Sequence, residues 1–457
     1  MAINQGGEEQ VQSKWIDRIL GIAVLGSLLA VAGCGPDHHH GGLSTVTPPR
    51  PPAVTAAGSG LVAVDCKRQR AYVPLNTLGL GENGQVAVID LSVDSDVADP
   101  RLATVALTHS DIPTGTAFDN DHSLILVVSG QSGSGGFVDI IGQATNTLVA
   151  GSPFATPAGS QAGFFGQVLY NPTTHLAIIG VCDNASCSSG SPNTGIVTFN
   201  PVSHAFGSVI PANYPETFAL NQNTNVVIDA SDDDSTGQIG GVQVGNGRAC
   251  TLSDSNIGDD NDGSSFDSVT NIAVVSNEAT NATVINLNKS SFAPGSGTPC
   301  TLNEGGTPPN SVLVTGLPSS TAGSAVDAIN HWAFLISDDE NGMALLTLPT
   351  SKVAQLTPAN ITSVSSTFPA DPLGSGWGTK GDPYAVSVAT CTALPHKGYA
   401  VNSNFTFLAE VDLTTLKNTP LVIPTAPPAG NCAGTTSTVT KCNNLNGVIF
   451  FPLPGVI

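Results

Sequence analysis

Charge is what this sequence has least of. Asp, Glu, Lys and Arg make up 11% of the 457 residues, with 14 basic side chains set against 35 acidic ones. A cytosolic helical protein carries far more Lys and Glu. A nucleic-acid partner calls for a basic surface, which a net charge of −21 argues against. Neither C-x-x-C nor C-x-x-C-H occurs, so thioredoxin-like redox chemistry and c-type haem attachment find no support. G-x-S-x-G, H-E-x-x-H and the P-loop are missing as well. The longest apolar run, Ile19 to Gly33, is too short and too closely followed by Gly-Pro to make a convincing spanning helix.

Turn formers are what the chain has in plenty: 50 Gly and 32 Pro, with abundant Ser, Thr and Asn. That balance fits an exported all-β protein. The length exceeds what one compact core usually serves, so a modular architecture is expected. A repeat supplies it. Near Asp382 to Leu421 the chain reads strand, turn, strand, loop, strand, and six earlier copies can be laid under it. Val73, Leu126, Ile178, Ile228, Val274, Phe334 and Val401 form one apolar column. The residues one and two places earlier are apolar too, so this strand is buried on both faces. A spacing of roughly 45 to 65 residues lies in the range of propeller blades. Seven four-stranded blades closed into a ring is the expected fold, with six or eight also compatible with the ambiguous ends.

The blades are expected from Leu61, from Ile112, near Phe165, near Pro215, near Ser265, near Gly323 and from Asp382. Second strands ending as Val401-Asn402 or Val275-Ser276-Asn277, followed by phrases such as VAVIDL and ATVINL, resemble the YVTN-type β-propeller repeat. Val73-Pro74-Leu75-Asn76 and Ile228-Asp229 depart from that ending. The resemblance implies a propeller over Leu61 to Leu421, closed by a tail strand, Gly447 to Pro454.

Lys14 and Arg18 precede the apolar leader, and Val31-Ala32-Gly33-Cys34 resembles a bacterial lipobox. By that resemblance residues 1–33 are removed and Cys34 is lipidated, anchoring the protein in the cell envelope. Gly35 after the cysteine favours the outer membrane over the inner. From Cys34 to residue 59 the chain is rich in Pro, Gly and Thr and reads as an extended tether. His38, His39 and His40 lie in that tether, where no fixed geometry would make them metal ligands.

Eight cysteines remain beside Cys34, an even number in an exported chain, and disulfides are expected. Cys182 with Cys187 and Cys432 with Cys442 would close short loops. Cys250 and Cys300 sit in matching phrases of neighbouring blades, and Cys66 and Cys391 in matching turns of the first and last.

Two rims follow from the blade plan. Loops after second strands and before first strands open on one end, bringing Glu82, Asp183, Asp232, Asp233, Asp234, Glu278, Asp338, Asp339 and Glu340 toward Asp111, Glu216, Asp259 and Asp382. The turns at the other end carry Lys67, Arg68, His122, His175, His331 and His396. A carboxylate rim suits a cationic ligand or plain solubility. Within it, Gly258 to Asp267 resembles the acidic calcium loops of other propellers, implying Ca²⁺ on Asp260, Asp262 and Asp267. Gly258 stands where the first Asp of such a loop would be. For catalysis, His109 and Glu216 are the residues placed to reach the channel.

The functional expectation is a membrane-anchored, non-catalytic binding or scaffolding module. Its partner would be an envelope protein, a polysaccharide or a cationic ligand. The alternative is a lactonase-like propeller hydrolase working at the channel mouth.

Overall fold

The computed structural model describes residues 58–59, 62–76, 83–93, 101–109, 112–131, 135–162, 167–183, 191–212, 217–230, 237–259, 261–277, 279–289, 311–337, 342–351, 356–367, 385–389, 394–401 and 407–422. Leader, lipobox and tail strand lie outside them. Regular structure here is β, with three short 3₁₀ turns at Val244–Asn246, Leu287–Lys289 and Pro358–Asn360. Among the described residues no helix is long and apolar enough to cross a membrane.

The strands form seven antiparallel sheets in sequence order, which is a seven-bladed β-propeller. Blade 4 shows the plan: Thr217–Asn221, Val226–Ala230, Gln238–Gln243 and Arg248–Ser253 pair each with the next. Blades 5, 6 and 7 begin at Asn261, Thr321 and Ala385 and repeat it. Blades 1, 2 and 3 carry short extra pieces. In blades 2 and 3 the fourth strand is split, into Thr147–Leu148 with Phe154–Ala155 and Ala205–Phe206 with Ile210–Pro211. In blade 1, Gly58–Ser59 pairs with Leu75 and Asn76, so the first sheet reaches back into the last residues of the expected tether.

First strands crowd together at the ring's centre, and their side chains are small for that reason. Thr114-Gly115-Thr116-Ala117 and Gly263-Ser264-Ser265 are examples, all buried. Their hydroxyls bond across to the blade before: Thr116 Oγ1 donates to Tyr72 O at 3.0 Å, and Thr321 Oγ1 to Asn277 O at 2.9 Å. Outer strands alternate in exposure, as Arg101–Ala106 does.

Six apolar clusters fill the six joints between consecutive blades. In the joint of blades 2 and 3, Leu126, Val128, Val138 and Ile140 pack on Tyr170, Ala177, Ile179 and Val197. Clusters of the same kind join blades 1 and 2, 3 and 4, 4 and 5, 5 and 6, and 6 and 7. Burying both faces of every second strand makes hydrophobic transfer the main stabilising term.

Pairing corrects the apolar column in two blades. Second strands begin at Arg70, Leu124, Leu176, Val226, Ile272, Trp332 and Lys397, each opposite the residue ending the first strand. The equivalent third residues are therefore Tyr72, Leu126, Ile178, Ile228, Val274, Phe334 and Tyr399. Val73 was one residue late and Val401 two. A strand apolar at every position shows no alternation, so the pattern alone cannot pin its register.

Candidate functional site

The histidine end of the ring is a structural belt. In six blades the first strand ends in Asp65, Asp119, Asn171, Asn221, Asp267 or Asp327, whose Oδ1 accepts from backbone N–H groups of the following turn. This is the Asx turn, which Asp and Asn favour because a short side-chain oxygen mimics a backbone carbonyl. In all seven blades this turn closes on a residue with positive φ: Gln69, Ser123, His175, Asn225, Asn271, His331 and His396. Asn and His tolerate that left-handed conformation better than most side chains.

These turn residues reach the blade before. Asn171 Nδ2 donates to Asn225 Oδ1 at 2.9 Å, Asn221 Nδ2 donates to Asn271 Oδ1, and His331 Nδ1 lies 2.7 Å from Asp267 Oδ2. Asn330 Nδ2 lies 3.3 Å from His396 Nδ1. Between blades 1 and 2, Gln143 donates to Asp65 Oδ2 and accepts from Arg68. Between blades 2 and 3, Tyr170 Oη and His175 Nδ1 meet Asp121 Oδ2 at 2.7 and 2.8 Å. Burial works to raise the Asp121 carboxyl, but the bonds from Tyr170 and His175 outweigh it and hold its pKa below the ordinary value. Tyr170 is pushed well up, by burial first and then by Asp121. Thus His122, His175, His331 and His396 lie in the turns of this belt, and all but His122 bond across a joint. The sequence signal was available as Asx-x-x-x-His/Asn, running from Asn171 to His175 and from Asp327 to His331.

His109 does meet a carboxylate, though in a joint. It lies in the connector from blade 1 to blade 2, its Nε2 2.6 Å from Oδ2 of Asp139. Asp139 belongs to the third strand of blade 2, Gly135–Gly142, and is fully buried, while the imidazole is 12% exposed and packs beside Phe137. The alternation of that strand turns Asp139 to the same face as Ile141, toward blade 1.

A second buried acid stands at the same level two joints on. Asp229, in the second strand of blade 4, pairs with Gly240, as Val127 pairs with Asp139 in blade 2. It lines a cavity of about 270 Å³ with Gly240 and Thr251 of its own blade and Pro211 and Ala212 of blade 3. In the same column the other blades have Val73, Val127, Ile179, Val275, Leu335 and Ala400. One acid in an otherwise apolar column is a signal that sequence reading could have used, had the register been known.

The calcium loop is not a loop. Asn261–Asp267 is the innermost strand of blade 5, and all seven residues are buried. Blade 5 thus begins before Ser265. Asp262 is the extra residue of a β-bulge between Asn261 and Gly263, matching Thr114 and Ala322 in blades 2 and 6. Asp262 and Asp267 stand at opposite ends of the strand, about 16 Å apart at the usual rise per residue. They do not share one coordination shell. Asp267 holds its turn and His331 instead. Among the described residues no three His, Cys, Asp or Glu side chains are arranged to hold a metal ion.

Of the expected acidic rim, Asp259 is exposed and Asp183 half-buried at the end of a strand. Asp232, Asp233, Asp234, Asp260, Asp338, Asp339, Glu340 and Glu216 lie outside the described residues, as do Cys34, Cys187, Cys300, Cys391, Cys432 and Cys442. Cys66 and Cys182 are buried, and Cys250 borders the Asp229 cavity.

No known protein family and no curated protein matches the chain. Among solved structures it is similar to a chain of Kuenenia stuttgartiensis hydrazine synthase, with a TM-score of 0.48 and 10% sequence identity, over 84% of this chain and 100% of that one. The propeller fold rests on the seven sheets themselves.

Proposed function

We propose that this is a lipid-anchored propeller of the bacterial cell envelope that serves as a binding or scaffolding module, its YVTN-like repeats displayed on a Pro-rich tether. The observation that carries the binding reading is where the imidazole–carboxylate pairs go. Among the described residues, His331 with Asp267, His175 with Asp121 and His109 with Asp139 bridge consecutive blades and His122 with Asp119 lies within its own turn, so their chemistry is engaged in holding the ring together. A lactonase-like hydrolase would need such a pair facing substrate, and Asp139 is enclosed between two blades. The anchor rests on Val31-Ala32-Gly33-Cys34 and the short apolar run before it. The outer membrane is favoured by Gly35.

Disulfides belong to the same reading. We pair Cys182 with Cys187, Cys432 with Cys442, Cys250 with Cys300 and Cys66 with Cys391. In support of this, Cys66 and Cys182 are buried and Cys250 is half-buried, while their proposed partners lie outside the described residues.

Fractionation tests the anchor. Cys34→Ser should move the protein from the membrane pellet to the soluble periplasmic fraction, and the native amino terminus should carry an acyl mass. Unchanged fractionation without that mass overturns the lipoprotein reading. Saturable turnover of a simple γ-lactone by the purified native chain, absent after heat inactivation, would overturn the non-catalytic one.

A further inference from the structure

The fourth strand of each blade is a sheet edge, with a row of backbone N–H and C=O groups turned outward. A bare edge pairs with other chains, so proteins blunt edges with breaks, bulges, charges, proline or cover. Most blades here do so. The fourth strands of blades 2 and 3 are split into two-residue pieces. In blade 1 the register shifts within the pairing of Arg101–Ala106. The outer strand of blade 4 opens on Arg248, and that of blade 7 opens on Lys417 and contains Pro420. In blade 5, Ser311–Thr315 is mostly buried, and Asn256 Nδ2 donates to Ser311 O at 3.0 Å.

Blade 6 has none of these devices. Its fourth strand, Thr362–Thr367, pairs in unbroken register with Gly342–Thr347 and ends its sheet. The strand reads Thr-Ser-Val-Ser-Ser-Thr, with neither charge nor proline. Thr362, Ser363, Val364 and Ser365 are all exposed. Successive side chains point to opposite faces, so both faces of the strand are open there. Val364 is 61% exposed. From Val353 to Ala370 the chain carries no charged residue.

We infer that this edge pairs with the same edge of a second copy of the chain, antiparallel about a two-fold axis at Val364. Symmetry restricts the register. A two-fold axis between antiparallel strands keeps every side chain on its own face, so a residue meets either itself or one an even number of places away. Centring on Val364 sets that residue against itself, Ser363 opposite Ser365, and Thr362 opposite Ser366. The two exposed valines then cover each other, and hydroxyl side chains meet hydroxyl side chains, a favoured cross-strand pairing. A foreign peptide requires no such order; hydroxyl residues on both sides of one valine are what a self-pairing edge requires. Charge points to the same place. Two copies of net charge −21 repel, and an uncharged stretch is where they approach at least cost. The pairing goes beyond the binding-module reading and needs only the ring.

The test is sedimentation velocity of the full chain in detergent, with Val364→Lys and Val364→Glu beside the native chain. A strand-to-strand contact is a small interface, so micromolar protein is the working range. The native chain should sediment as a dimer whose share rises with salt, because screening relieves repulsion between acidic copies. Either substitution should weaken association about tenfold or more, since like charges then stand face to face. Mixed together, the two variants should associate again, Lys against Glu, which also shows that both are folded. A native chain that stays monomeric overturns the inference, and so does a dimer that salt weakens. Association that survives both substitutions, as two anchors sharing a micelle would give, overturns it as well, and so do mixed variants that stay apart.

Discussion

Nδ1 of His331 lies 2.7 Å from Oδ2 of Asp267, and the bond joins the turn of blade 6 to the end of the first strand in blade 5. Asp267 is fully buried and its other oxygen accepts from the N–H groups of Val269 and Thr270. One carboxylate therefore holds a turn and a joint together.

Removing that carboxylate should cost both. Asp267→Ala is expected to lower stability by about 2–3 kcal/mol, from a lost turn cap and a lost charge-assisted bond. His331→Asn keeps the left-handed backbone accessible and should cost less than His331→Val, which is strained at φ 56. A double-mutant cycle in a denaturant titration should return a clear coupling between the two positions. Additive effects would mean that the bond contributes nothing.

Asp121 predicts an acid limb. Its folded pKa is depressed, so its contribution is present above the ordinary carboxylate value and is lost as pH falls through the folded one. Asp121→Asn should thus be less stable than the native chain at pH 7, with the gap closing below about pH 4. The carboxylate is 34% exposed and His175 60%, so the gap should be small. Melting across that range checks it, and a gap that widens in acid would be the wrong sign.

The buried pair of blades 1 and 2 makes a stronger demand. His109→Ala leaves Asp139 enclosed without its imidazole and should cost about 3–5 kcal/mol. Replacing both, as His109→Phe with Asp139→Leu, should recover much of the loss, because no buried charge is then left. Chemical unfolding of the three variants separates the outcomes. A double variant no better than His109→Ala would show that the cost is not electrostatic.

Thiol counting addresses the cysteines. On denatured, unreduced protein few free groups are expected if the four proposed pairs form. Six or more would refute the pairing as a whole, and peptide mapping can refute Cys250–Cys300 or Cys66–Cys391 singly.

How much of this could be read from the chain depended on whether a feature was local. Seven second strands were legible because each is an apolar run between turn formers, and those runs number the blades. Their register was not, since a strand apolar at every position looks the same after a slip from Tyr72 to Val73. Gly258 to Asp267 read as a cation loop because Asn, Asp, Gly and Ser rarely build strands; over Asn261 to Asp267, pairing with Ile272–Asn277 overrides that preference. His109 was singled out for the channel, and its carboxylate was not, because Asp139 comes 30 residues later and meets it only once the connector folds over blade 2. The belt was written in the chain as a fixed four-residue interval, yet its bonds cross between blades and no local rule exposes them.

The belt bears on how such a ring could lengthen or shorten in evolution. Blades 4 and 5 each carry both halves of such a joint: an Asx turn residue, Asn221 or Asp267, for the blade that follows and a left-handed turn residue, Asn225 or Asn271, for the blade before. A duplicated blade would arrive with a matching socket and plug already in its sequence. Blade number could then change by copying alone, leaving the loops of the opposite rim free to diverge.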